Sequence, residues 1–194
     1  MCDNYIMTLP LKHIIQVMND LCPMPAVLES LLFKITERME VPRNHVLIKP
    51  GQVCDHLYYI EKGILSCYEK EKGKKIYTWL MQQGDIATSV GSFNFRVPSK
   101  DTIVSITDCI LHILPWKPLK ELSRAYPEFG DIRQQLTDKY HLQSRDVDAQ
   151  RRREPEQFYQ YLKSIYGANL DLIPDKVLAS YMGISVATLY RHKK

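Results

Sequence analysis

The 194-residue sequence is defined first by what it lacks. It has no run of eighteen apolar residues, so no helical membrane span is expected. Met1 to Pro10 has no cationic stretch leading into an apolar core, so no signal peptide is expected and a cytoplasmic location follows. The five cysteines, Cys2, Cys22, Cys54, Cys67 and Cys109, are scattered, with no Cys-x-x-Cys pair. That spacing argues against a disulfide framework and against zinc or iron–sulfur ligation. There is no His-x-His pair, no Ser or Cys nucleophile motif and no phosphate-cradling glycine-rich loop. His45, His56 and His112 stand apart in sequence, so an enzyme on a metal-binding barrel is not expected, nor is a metal or fixed cofactor.

Charge is present but unevenly placed. Residues 1–150 carry 18 Lys/Arg against 18 Asp/Glu, whereas residues 151–194 carry 8 against 4. The net charge of +4 therefore lies in the last 44 residues. A neutral body with a basic end suits a protein whose end meets a polyanion, although Arg151, Arg152 and Arg153 could also be a solvated helix face.

The chain reads as helices, then strands, then helices. Apolar residues at three- and four-residue steps run from Ile14 to Met39, broken at Pro23 and Pro25. From about residue 41, short β-branched runs alternate with turns: Val46–Ile48, Leu57–Ile60, Ile64–Tyr68, Ile76–Met81, Ile103–Ile106 and Ile110–Leu114. This pattern predicts an antiparallel sandwich or barrel, with an exposed hairpin tip near Gly73. Helical texture returns at about 117. Phe129, Ile132, Leu136, Tyr140, Gln143 and Val147 then form a heptad-like seam on one long helix. Such a seam needs a cover. A second copy in a symmetric dimer is the expectation, with Gln143 fixing register, and the chain's own β-domain is the alternative.

The most informative segment is Ile173 to His192. Pro174 precedes two short helices, Asp175–Tyr181 and Ser185–His192. Val177, Leu178 and Tyr181 can bury one face, and Ala179 permits close helix approach. Gly183 can take the positive φ of a sharp turn, Ile184 can seal it, Ser185 can cap the second helix, and Leu189 faces inward. Val186, Ala187, Tyr190 and Arg191 are left for the outer face, with Thr188 at its edge. That is a helix-turn-helix, whose second helix can enter a major groove of double-stranded DNA. Lys176, Lys193 and Lys194 would add backbone attraction.

The order of parts, with Lys49-Pro50-Gly51-Gln52, His56 to Gly63, Gly84-Asp85, Gly91-Ser92-Phe93 and the Ala179 to Ser185 turn, resembles the CRP/FNR superfamily. These are bacterial regulators named after the cyclic-AMP receptor protein. The resemblance covers roughly residues 30–194. It implies an α+β protein: a cyclic-nucleotide-binding-like jelly roll with N-terminal helices over 1–127, a dimerisation helix over 128–152, and a helix-turn-helix unit over 153–194. It implies DNA, a second copy of the chain and RNA polymerase as partners, and no membrane. Many members follow the recognition helix with a β-hairpin wing. The sequence given ends at Lys194, so none is expected here.

The effector site departs from the resemblance. Members that bind cyclic AMP carry Gly-Glu-Leu and then Arg-Ser. Those positions fall here at Thr88-Ser89-Val90, followed by Gly91, and at Ser99-Lys100. Losing the ribose-binding Glu and the phosphate-clamping Arg should cost about 1.5–3 kcal/mol each. One loss of about 3 kcal/mol weakens binding roughly 100-fold. Cyclic AMP is therefore not the expected effector. Another small molecule, or none, remains open.

Overall fold

The computed structural model describes residues 9–193. Readings that rest on the first eight residues, on Cys2 and on Lys194 lie outside the described residues. Helices α1 (Leu9–Leu21) and α2 (Ala26–Ile35) come first, parted by Pro23 and Pro25 as expected. Eight strands follow: β1 (Glu37–Val41), β2 (Val46–Ile48), β3 (His56–Lys62), β4 (Ile64–Glu71), β5 (Lys74–Gln82), β6 (Ile86–Ala87), β7 (Thr102–Ser105) and β8 (Cys109–Pro115). A short helix α3 (Val90–Phe95) sits between β6 and β7. Then come α4 (Trp116–Ala125), the long α5 (Pro127–Arg151), α6 (Pro155–Tyr166), a 3-10 segment Gly167–Leu172, α7 (Asp175–Met182) and α8 (Val186–His192).

The strands form two four-stranded sheets, β1-β8-β3-β6 and β2-β7-β4-β5, with every pairing antiparallel. The core around the two sheets buries Ile60, Leu65, Ile103, Leu111 and Leu114 almost completely. The β4–β5 hairpin turns on Lys72 and Gly73, both at positive φ, which gives the twist a two-residue hairpin needs. All six strand runs read from the sequence lie within or across observed strands.

The first strand differs from expectation. Met39 continues the helical period of the sequence, yet α2 ends at Ile35 and Glu37–Val41 pairs with β8. Thr36 already has extended backbone (φ −88°, ψ 128°), and ladder bonding to Cys109–Ile113 outweighs a weak period. β1 is an edge strand whose only buried residue is Val41, so its sequence carries little apolar alternation.

The long helix bears on a second expectation. Phe129 and Ile132 are buried in the same core as the sandwich, and Leu136 and Tyr140 pack against it. Val147 is buried in a second core, and half-buried Gln143 lines a cleft against β5. The stripe is thus covered by its own chain at Phe129, Ile132 and Val147, while Leu136, Tyr140 and Gln143 stay half-buried. Periodicity reported that a stripe needs a cover but not which surface supplies it.

That second core is shared. Ile64, Leu80 and Ile106 of the β-region join Phe158, Leu162, Tyr166, Leu178 and Leu189 of the C-terminal helices. β5, at the edge of its sheet, meets side chains there in place of a further strand. The Tyr77 N–H donates to Ser180 Oγ (3.3 Å), and that hydroxyl donates to the Lys75 carbonyl (3.1 Å). The Leu80 carbonyl accepts from the Tyr166 hydroxyl at 2.9 Å, and the Thr78 carbonyl from Arg151 at 3.4 Å.

Candidate functional site

The helix-turn-helix is built as its residues dictate. α7 follows Pro174 and buries Val177, Leu178, Ala179 and Tyr181. Gly183 ends it in the left-handed region (φ 73°), where its N–H donates to the Ser180 carbonyl and the Ile184 N–H donates to the Ala179 carbonyl. Ser185 caps α8 by accepting from the Thr188 N–H at 3.0 Å. Leu189 is the only fully buried residue of α8 (0% exposed) and fixes which face turns outward.

The outward face carries Ala187, Tyr190 (55% exposed) and Arg191, with Thr188 half-buried at its edge. Val186 is also half-buried and packs on the second core, so it belongs partly to the interior. Lys193 is engaged: its ammonium pairs with Asp175, which also holds the Tyr190 hydroxyl. These contacts, Lys193 first, hold the Asp175 carboxyl below its usual range. His192 Nδ1 lies 2.7 Å from Glu156 of α6. Arg191 and exposed Lys176 have no hydrogen-bond or ion-pair partner among the described residues.

The effector positions divide in two. Ser89 and Ser99 are buried and face each other, with 3.0 Å between hydroxyls. The Ser89 hydroxyl lies 2.6 Å from the Asp101 carboxylate, and the Asp101 N–H donates to Ser99 Oγ at 3.0 Å. A carboxylate therefore sits among the residues that the sequence reading put at effector positions. Lys100 and Gly91 are exposed. Thr88 and Val90, by contrast, line a cleft of about 560 Å³ between β5, α3, α5 and α7.

Sequence reasoning placed only Thr88 and Val90 at that cleft, because its walls come from five separated segments. Trp79 and Met81 of β5, Phe93 of α3, Arg133, Tyr140 and Val147 of α5, and Tyr181 of α7 all border it. Tyr140 accepts the Ile86 N–H at 2.8 Å, and burial pushes its phenol well above the ordinary tyrosine range. Burial likewise pushes the Tyr181 phenol up to about 12. Arg151 donates to the Tyr181 carbonyl at 3.0 Å, pairs with Asp148 at 3.0 Å and lies over the Tyr181 ring.

Cys22, Cys54, Cys67 and Cys109 are free thiols, and burial pushes Cys67 up to about 12, which keeps it protonated and unreactive. His112 is buried against Glu61 (2.8 Å). Among the described residues, no group of three or more His, Cys, Asp and Glu is placed to hold a metal ion, and no helix is long and apolar enough to cross a membrane.

Comparison with known proteins defines the fold. Residues 38–126 match the family model of the cyclic nucleotide-binding domain. A transcriptional regulator of the CRP/FNR family from Eubacterium rectale superposes with a TM-score of 0.70 at 14% identity, covering 91% of this chain and 83% of that one. FixK2 from Bradyrhizobium japonicum also gives 0.70, at 11% identity over 82% of this chain and 83% of its own. The catabolite activator protein of Thermus thermophilus gives 0.52 at 17% identity, covering 91% of this chain and 84% of that one. Two cyclic-AMP-bound protein kinase A regulatory structures match over 58% of this chain each, which spans only 41% and 44% of their lengths. No curated protein sequence matches.

Residues 38–126 are thus similar to a cyclic nucleotide-binding domain, and the long helix and C-terminal helices follow it in the fold seen in the solved CRP/FNR structures.

Proposed function

We propose that this chain is a cytoplasmic transcription regulator that reads double-stranded DNA through α8. The observation that carries this reading is the Ser185-capped helix held by Leu189, with Ala187, Tyr190 and Arg191 outward and Arg191 free of partners among the described residues. A seven-residue helix presented this way fits a major groove, and its first turn and Arg191 can reach base edges and phosphates. Two copies would pair their reading helices on a two-fold symmetric operator. The dimer contact then falls on the outer face of α5, where Leu142 is 58% exposed, and not on the Phe129–Val147 stripe. RNA polymerase is the further partner such a regulator implies.

Cyclic AMP is not the effector in this reading. The Glu and Arg that would hold it are absent, and Asp101 places a negative charge where the cyclic phosphate would need a positive one. Calorimetry should detect no saturable micromolar binding of cyclic AMP.

DNA binding is tested by selecting ligands from random-sequence duplexes at low salt, then titrating wild type against Arg191→Ala. Loss of one guanidinium contact should weaken specific binding by about 1–3 kcal/mol, roughly 5- to 150-fold. Binding unchanged in the variant, or absent from both, overturns the reading. The second reading, a ligand-binding or scaffold module that has lost DNA recognition, is favoured by the engagement of Lys193 and Tyr190 with Asp175.

A further inference from the structure

The cleft beside β5 adjoins the closed Ser89–Ser99–Asp101 cluster through Thr88 and Val90, and its chemistry differs. None of those three residues lines it. At about 560 Å³ it falls within the size range of small-molecule sites. Four aromatic rings border it, from Trp79, Phe93, Tyr140 and Tyr181, together with Met81 and Val147. Aromatic walls favour a flat apolar guest, by offset or edge-to-face contact.

Its charges are asymmetric. Asp148, the only carboxylate in the lining, is paired with Arg151. Arg151 is further committed to two backbone carbonyls and to the Tyr181 ring. Arg133 lines the cleft and has no side-chain partner among the described residues. One positive charge is therefore uncompensated. The Tyr140 oxygen already accepts from the Ile86 N–H, so its own proton has no acceptor among the described residues. A guanidinium and a phenolic O–H are both donors, and both suit an anion.

We infer that this cleft binds a flat, largely apolar molecule carrying a single negative charge, with Arg133 recognising the charge and the Trp79 side of β5 the apolar body. The site deepens the regulator reading by naming the class of its effector. Tyr181 belongs to the first helix of the helix-turn-helix, so the guest touches sandwich, long helix and reading unit at once. A cyclic nucleotide does not fit this description, because its ribose and cyclic phosphate are polar where the walls beside Trp79 and Met81 are apolar.

The site is tested without DNA, so its failure and the failure of the DNA-binding reading are separate results. Two fluorescent probes are titrated into the full chain: 1-anilinonaphthalene-8-sulfonate, a flat monoanion, and N-phenyl-1-naphthylamine, the same rings without the charge. The expected result is saturable binding of one sulfonate probe per chain, with energy transfer from tryptophan in the unmodified protein. Arg133→Gln should weaken the sulfonate probe roughly tenfold and leave the neutral probe within about twofold. Gln143→Trp, which fills the cleft from a half-buried helix position, should weaken both at least tenfold. If that variant loses cooperative unfolding, Thr137→Trp on the same wall replaces it. Equal effects of Arg133→Gln on the two probes overturn the inference. So does non-saturable binding, displacement by micromolar cyclic AMP, or indifference of both probes to the cleft-filling variant.

Discussion

Removing a single oxygen, in Tyr166→Phe, isolates the bond that joins α6 to the edge of the sandwich. The ring stays buried (Tyr166 is 6% exposed), so apolar burial is conserved. What is lost is the 2.9 Å bond donated to the Leu80 carbonyl, together with the hydroxyl's contact to Tyr181, and Leu80 is itself only 2% exposed. A buried acceptor left without a partner costs about 1–3 kcal/mol. For a chain of this length, each kcal/mol lowers Tm by about 2–4 °C. Thermal and urea unfolding of wild type and variant should show this loss with an unchanged m-value, since no surface is newly exposed. A pH series supplies the internal control. Burial raises the Tyr166 phenol above its unfolded value of 10.0. The hydroxyl's contribution is therefore fully present below pH 10 and is lost as pH rises beyond it, by about 1.4 kcal/mol per pH unit. The gap between wild type and Tyr166→Phe should hold steady from pH 6 to 9 and narrow by pH 11. A Tm within about 1 °C of wild type at neutral pH, or a gap that does not narrow in alkali, would refute the claim that this buried bond fastens the two regions.

Leu189→Ala should cost about 2–5 kcal/mol, because Leu189 is the only fully buried residue of α8 and a seven-residue helix does not persist alone. Hydrogen exchange should show α8 amides losing protection while β3, β4 and β8 keep theirs; uniform loss across the chain would contradict local anchoring. Asp175→Asn breaks the contacts to Lys193 and Tyr190. The Asp175 carboxyl is held below its unfolded value of 3.8, so its contribution is present above that pH and lost as pH falls through the lowered value. The small Tm difference between wild type and Asp175→Asn at pH 6 should therefore shrink as pH is taken progressively below 3.8, and a difference that grows in acid would contradict the pairing. If the second reading is right and DNA binding is suppressed by this engagement, Asp175→Asn should also strengthen binding to the selected duplex in a low-salt gel shift.

Some of this was legible in the sequence for local reasons. Helix-turn-helix geometry depends on neighbours: Gly183 supplies a positive φ, Ser185 a cap and Leu189 an anchor, all within seven residues. The strands were legible because β-branched runs stand between turn residues. β1 was not, since an edge strand reading Glu37-Arg38-Met39-Glu40-Val41 buries little and alternates weakly. The Phe129–Val147 period was visible but its partner was not, because a stripe looks the same whether it meets a second copy or its own β-domain. Asp101 sat in plain view two residues after Ser99, yet only the fold shows it meeting Ser89. The cleft depends on contacts between Trp79, Arg133 and Tyr181, which no spacing rule connects.

The capping of β5 by Ser180, Tyr166 and Arg151 carries a consequence for how the two halves can be separated. A sensor region cut away before Pro155 would leave a bare strand edge at Lys75, Tyr77 and Leu80, with unpaired backbone groups beside an uncovered apolar patch at Ile64 and Ile106. Such an edge is a template for another chain's strand. The severed half should self-associate, strand to strand, more readily than the whole chain. By the same logic, exchanging the terminal helices for those of a relative would preserve solubility only if the newcomer brought a hydroxyl to the Ser180 position. The C-terminal helices are thus also a guard against aggregation.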